Sequence, residues 1–76
     1  NSISIFPNPF TNHFIINSEY EIDHIELFDV VGKKIPVKWE GSDNEYLVIV
    51  DALSSGVYIL NVKIGNEAKQ FRLIKN

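Results

Sequence analysis

Gly56-Val57-Tyr58-Ile59-Leu60-Asn61-Val62-Lys63-Ile64 is the stretch whose reading decides the fold. Tyr58, Leu60, Val62 and Ile64 fall on every second residue, and Val57, Ile59, Asn61 and Lys63 fill the places between. A period of two is the spacing of a strand, whose successive side chains leave on opposite faces. Gly65-Asn66 follows and is a two-residue hairpin signal. Beyond it lies a strand at Glu67–Ile74, with Phe71 and Leu73 on one face and Arg72 and Ile74 on the other.

Upstream of this hairpin the same pattern continues. Asp51–Ser55 reads as a turn whose Leu53 plugs the end of the core, and Glu45–Val50 reads as a strand. Glu40–Asn44 is rich in turn formers and reads as a loop. Lys34–Trp39 reads as one strand carrying Ile35, Val37 and Trp39 at period two, and Val31-Gly32-Lys33 as a tight turn in which Gly32 supplies a positive φ. His24–Val30 is a strand with Ile25 and Leu27 inward, and Ser18–Asp23 a polar loop. His13–Asn17 is a strand with Phe14 and Ile16 on one side. Ser2–Phe6, where Ile3 and Ile5 alternate with serines, is the first strand. It ends at Pro7-Asn8-Pro9, where two prolines without N–H groups force a turn or an irregular edge.

No segment shows a helical period. Seven short strands with turns between them predict an all-β fold, a compact, seven-stranded, antiparallel immunoglobulin-like β-sandwich. The 76 residues make one domain, 1–76. They begin at Asn1 without Met and enter a strand at once, as expected of a piece excised from a larger precursor. With 45% apolar residues the core is thin, and stability on the order of 4–11 kcal/mol is expected.

Composition narrows the function. There is no cysteine, so disulfides and thiolate metal sites are excluded, and two histidines, His13 and His24, are too few for a His-rich zinc site. Net charge is −3, and the lysines are scattered rather than gathered into the basic patch of a nucleic-acid binder. The longest apolar run, Tyr46–Val50, is far too short to span a bilayer as a helix.

Four pieces stand in a telling order: Ile5-Phe6-Pro7-Asn8-Pro9-Phe10; Ile25–Lys34, which contains Asp29-Val30-Val31-Gly32-Lys33; Leu53-Ser54-Ser55-Gly56-Val57-Tyr58; and the closing Phe71-Arg72-Leu73-Ile74-Lys75-Asn76. Across nearly the whole chain this resembles the type A C-terminal sorting domain of the type IX (Por) secretion system, although Lys38–Asn44 matches no landmark of that family. The resemblance implies a non-catalytic secretion signal at the end of an exported Gram-negative protein. Its partners would be the outer-membrane type IX translocon, a sortase-like cysteine peptidase that removes the domain upstream of its first strand, and an upstream cargo domain. The cut would fall before Asn1. The product would be secreted or held at the cell surface, after transit of the periplasm and outer membrane, and no cofactor is called for.

The candidate recognition residues are Lys69, Phe71, Arg72, Leu73, Ile74 and Lys75 of the last strand, with Asp29, Gly32 and Lys33 of the mid-chain turn. A last strand with an open edge and a basic tail can be read by strand addition. Pro7, Asn8, Pro9, Gly56 and Tyr58 are structural motif positions, with Tyr58 in the core and its hydroxyl at the rim. Asp29 is expected to accept N–H groups of its own turn. His24 and the adjacent Asp23 point to opposite faces and form no dyad, and Ser54 and Ser55 lack a nucleophile elbow. Asp43, Asn44, Glu45 and Asp51 do not have the spacing of a calcium loop. The alternative reading is an accessory carbohydrate-binding or adhesive β-sandwich of an extracellular enzyme, which needs an exposed aromatic pair such as Trp39 with Tyr20 or Tyr46.

Overall fold

The computed structural model describes residues 3–51 and 53–76. Among these, eight strands form two antiparallel four-stranded sheets: β1 (Ile3–Phe6), β2 (His13–Ser18), β3 (His24–Asp29), β4 (Lys34–Ile35), β5 (Lys38–Ser42), β6 (Glu45–Ile49), β7 (Gly56–Ile64) and β8 (Glu67–Lys75). One sheet runs β1-β2-β6-β5 and the other β4-β3-β7-β8. The all-β class is as the sequence predicts, and no described residue is helical. The expected start of the first strand at Ser2 lies outside the described residues.

The count is eight rather than seven because the segment Lys34–Trp39 is not one strand. Ile35 pairs with Leu27 in one sheet, whereas Trp39 pairs with Val48 in the other. Pro36 lies between them and has no N–H to continue a ladder, so the chain leaves the first sheet there and joins the second at Lys38. Ile35, Val37 and Trp39 all pack against the core nonetheless. The inward period therefore survives the crossing, and for that reason it looks like a single strand in the sequence.

The expected loop Glu40–Asn44 is also corrected. Glu40, Gly41 and Ser42 belong to β5 and pair with Leu47, Tyr46 and Glu45. Only Asp43 and Asn44 turn, with φ of 55° and 79°. Two left-handed residues in succession make a tight hairpin of the primed type, and Asp and Asn tolerate that region better than other residues with a Cβ. Smaller boundary shifts occur elsewhere: Val30 lies in the turn after β3, Val50 follows β6, and β8 extends to Lys75.

Both sheets contribute to one core. Phe14 and Ile16 of β2, Ile25 and Leu27 of β3, Tyr46 and Val48 of β6, Tyr58, Leu60 and Val62 of β7, and Leu73 of β8 are buried together. Phe10 and Val50, outside the strands, are also fully buried, and Phe10 meets Phe14 edge-on with ring centroids 5.1 Å apart.

The loop Ser18–Asp23 is less polar than its sequence suggests. Ile22 is 4% exposed, and its N–H donates to the hydroxyl of the buried Tyr46 at 3.0 Å. The buried Ser18 hydroxyl donates to the Tyr20 carbonyl at 2.6 Å and accepts the Tyr20 N–H at 3.0 Å. Asp23 then ties the loop to the distant hairpin by accepting the Gly65 N–H at 2.6 Å.

Candidate functional site

β8 and the Asp29 turn hold the candidate residues. β8 is the outer strand of its sheet and pairs with β7 residue for residue, from Ile64↔Glu67 to Gly56↔Lys75. Its alternation divides the candidates. Leu73 is buried and Phe71, half-buried, packs against the core, so these two hold the strand down. Arg72 and Ile74 are exposed on the outer face, and Lys69 and Lys75 are half-buried.

Asp29 pairs with Tyr58, which pairs with Leu73. The start of the turn, Gly56, Tyr58 and the end of β8 therefore share one end of the sheet, while Lys69 lies toward the opposite end. The Asp29 carboxylate accepts the N–H of Val31 at 3.0 Å and of Lys33 at 2.8 Å on the same oxygen. Gly32 has φ 91° and donates to the Asp29 carbonyl at 3.1 Å. The turn is thus built by its own aspartate, as its sequence suggests. Asp29→Ala is expected to remove about 1 kcal/mol of stability and to loosen the Val31 and Lys33 amides, with Asp29→Asn in between. Hydrogen exchange at those two amides checks this.

The open β8 edge expected from the sequence is only half open. Asn8 lies alongside Ile74 and uses its side-chain amide as a short piece of strand. Its oxygen accepts the Ile74 N–H at 2.9 Å, and its nitrogen donates to the Arg72 carbonyl at 3.3 Å. Phe10 completes the seal, donating to the Ile74 carbonyl at 2.8 Å and accepting the Asn76 N–H at 2.9 Å in a short parallel bridge. Pro7 and Pro9 have no N–H to offer an edge, so the Asn8 amide supplies the donor that the backbone around it lacks. The composition of Pro7-Asn8-Pro9 carried this signal, but its partner lies 64 to 66 residues away. Asn8→Ala is expected to expose the Ile74 N–H and Arg72 C=O and to raise self-association at high protein concentration, checked by sedimentation velocity.

On the same sheet, Glu26 meets Lys34 at 3.4 Å and His24 at 3.5 Å. Hydrogen bonding to Lys34 is the main cause that holds the Glu26 carboxyl below its ordinary value of 4.5; desolvation opposes it, and the Lys34 and His24 charges add to the lowering. A depressed carboxylate stabilises the fold above its unfolded pKa, and that contribution disappears as pH falls through the folded value. An NMR titration of Lys34→Met should therefore find the Glu26 pKa raised back toward 4.5. No cluster of His, Asp or Glu able to hold a metal occurs among the described residues, and no helix there is long and apolar enough to cross a membrane.

The family model described as the secretion system C-terminal sorting domain matches residues 4–76. The chain belongs to this family, that of the type IX secretion C-terminal sorting domains. The match takes in every landmark: the Pro7–Pro9 seal, the Asp29 turn, the Gly56–Tyr58 start of β7 and the β8 strand. The sorting domain's family is one of non-catalytic signals for export to the cell surface or the medium, which implies contact with secretion machinery. Comparison with curated proteins returned no relative.

Proposed function

We propose that this sorting domain is a non-catalytic label, cut from a larger precursor, that an outer-membrane type IX translocon of a Gram-negative bacterium reads as a folded unit. A sortase-like cysteine peptidase then severs it from its cargo upstream of β1. The match over residues 4–76 carries this reading. The strand orders β1-β2-β6-β5 and β4-β3-β7-β8, with a chain that changes sheets at Pro36, support an immunoglobulin-like sandwich as the unit recognised. The exposed Arg72 and Ile74, the basic Lys69 and Lys75, and the Asp29-Gly32-Lys33 turn are the surface we assign to recognition, with Phe71 and Leu73 acting through the fold.

Of the aromatic pairs the carbohydrate-binding alternative could use, Trp39 with Tyr46 makes no open platform, which leaves only the exposed Tyr20 with Trp39. Tyr46 is 3% exposed and its hydroxyl is engaged by Ile22, and the Trp39 ring meets it tilted by 52° rather than side by side in one plane.

The test is to append the domain to a periplasmic passenger in a type IX-competent cell. The passenger should reach the outside, and removing Lys69–Asn76 should leave it in the periplasm. Export that is indifferent to that removal sinks the proposal.

A further inference from the structure

The seal on β8 stops short, and what it leaves has a definite shape. Ile74 turns both its N–H and its C=O away from β7, toward Asn8 and Phe10. The ladder to β7 is unbroken, so outward-facing groups recur at every second residue. Arg72 N–H and both backbone groups of Gln70 and Ala68 therefore face outward, and no described residue bonds them. Ala68, Gln70 and Arg72 are exposed. The open span, Ala68 to Arg72, is about 14 Å of strand edge.

Bare strand groups in this spacing fit one kind of ligand, another strand. The charge along the span narrows it further. Lys69 and Arg72 lie within it without an acid between them, and neither forms an ion pair among the described residues. The chain as a whole carries −3. A second copy paired antiparallel about Gln70 would set Phe71 opposite Lys69 and Ala68 opposite Arg72, offering neither cation an acid, and would bring the two Lys69 side chains to diagonal positions where like charges repel.

We propose that the Ala68–Arg72 edge receives one extended segment of another protein, a strand bearing acidic side chains, and that Asn8 fixes where that strand ends. This rests on the sorting reading and specifies its contact. The added strand lengthens the sheet β4-β3-β7-β8 by one member and leaves the core untouched.

Gln70→Pro tests it. The substitution removes an outward N–H and places a ring in the path of an incoming strand. The ladder to β7 is carried by the flanking Lys69 and Phe71, so edge proline is tolerated. The probe is a ten-residue peptide alternating valine and glutamate, with a valine–lysine peptide as control, and the readout is amide hydrogen exchange. The glutamate peptide should slow exchange at Ala68, Gln70 and Arg72 by about tenfold or more, and the lysine peptide should not. Gln70→Pro should abolish the effect, as should the double variant Lys69→Glu, Arg72→Glu, which keeps every backbone donor and serves if the proline variant fails to fold. Protection that grows with protein concentration alone would assign the edge to a second copy and overturn the proposal, as would absence of protection at saturating peptide. In cells, export lost on removing Lys69–Asn76 but unchanged in Gln70→Pro and in the double variant would defeat this inference and leave the sorting reading standing.

Discussion

Tyr58→Ala is expected to remove about 3–5 kcal/mol of folding stability, a large part of what a domain of this size has. The ring is 7% exposed, lies in the core row with Leu60 and Val62, and faces Leu73 of β8. Truncation leaves a cavity between β7 and the strand we assign to recognition. It also removes the hydroxyl that donates to the Ser54 carbonyl at 2.7 Å and pins the turn before β7. For a domain this small each kcal/mol corresponds to roughly 4–8 °C in melting temperature, so circular dichroism should record a fall of at least about 12 °C. Tyr58→Phe separates the two contributions, since it keeps the ring and loses only the hydrogen bond, about 0.5–1.5 kcal/mol. A Tyr58→Ala protein melting within a few degrees of the parent would refute the burial. Because the damage is to the folded label, export of a fused passenger should fall with it, in proportion to the fraction unfolded at the growth temperature.

Gly41→Val is the second large effect, at a position the sequence marks only as loop. Gly41 lies inside β5 opposite Tyr46, with φ 153°, a conformation that side chains with a Cβ rarely adopt. A Cβ there would run into the Glu45 carbonyl oxygen and lie 2.7 Å from the Tyr46 Cα. Both obstacles are backbone and cannot rotate away. Strain of about 1–3 kcal/mol from the conformation alone is therefore joined by a steric contribution, and the variant should lose more than 3 kcal/mol or fail to fold. Gly56→Val is the matched control. Gly56 has φ 151° but nothing within 4 Å of the added carbon, so only the strain should appear. Urea titrations of the pair decide it; equal midpoints would show that the close approach at Gly41 has no consequence.

The two corrections to the strand pattern have a common origin. Ile35, Val37 and Trp39 alternate without a break, and alternation records which side chains face the core but not which sheet carries them. Pro36 was visible, but a proline marks an interrupted ladder without naming the ladder joined next. Glu40-Gly41-Ser42 looks like loop by composition, yet it pairs fully because β6 offers a partner and Asp43-Asn44 closes the turn alone. Ser18–Asp23 reads as a polar loop, yet Ile22 packs into the core and its N–H meets the Tyr46 hydroxyl, 24 residues away. Of the surface we assign to recognition, the Asp29 turn is legible because its bonds span two to four residues. The seal on β8 was not, because it joins the two ends of the chain.

What the sequence determined by itself is local: the period of two, the inward set from Phe14 to Leu73, the hairpin at Gly65-Asn66 and the self-built turn at Asp29. These follow from residue type and spacing within a few positions, where the backbone geometry is nearly fixed. Tertiary structure alone decided the change of sheet at Pro36, the close approach at Gly41, and how much of the β8 edge remains bare. Each of these depends on which distant backbone groups meet, and side-chain spacing along the chain does not encode that meeting.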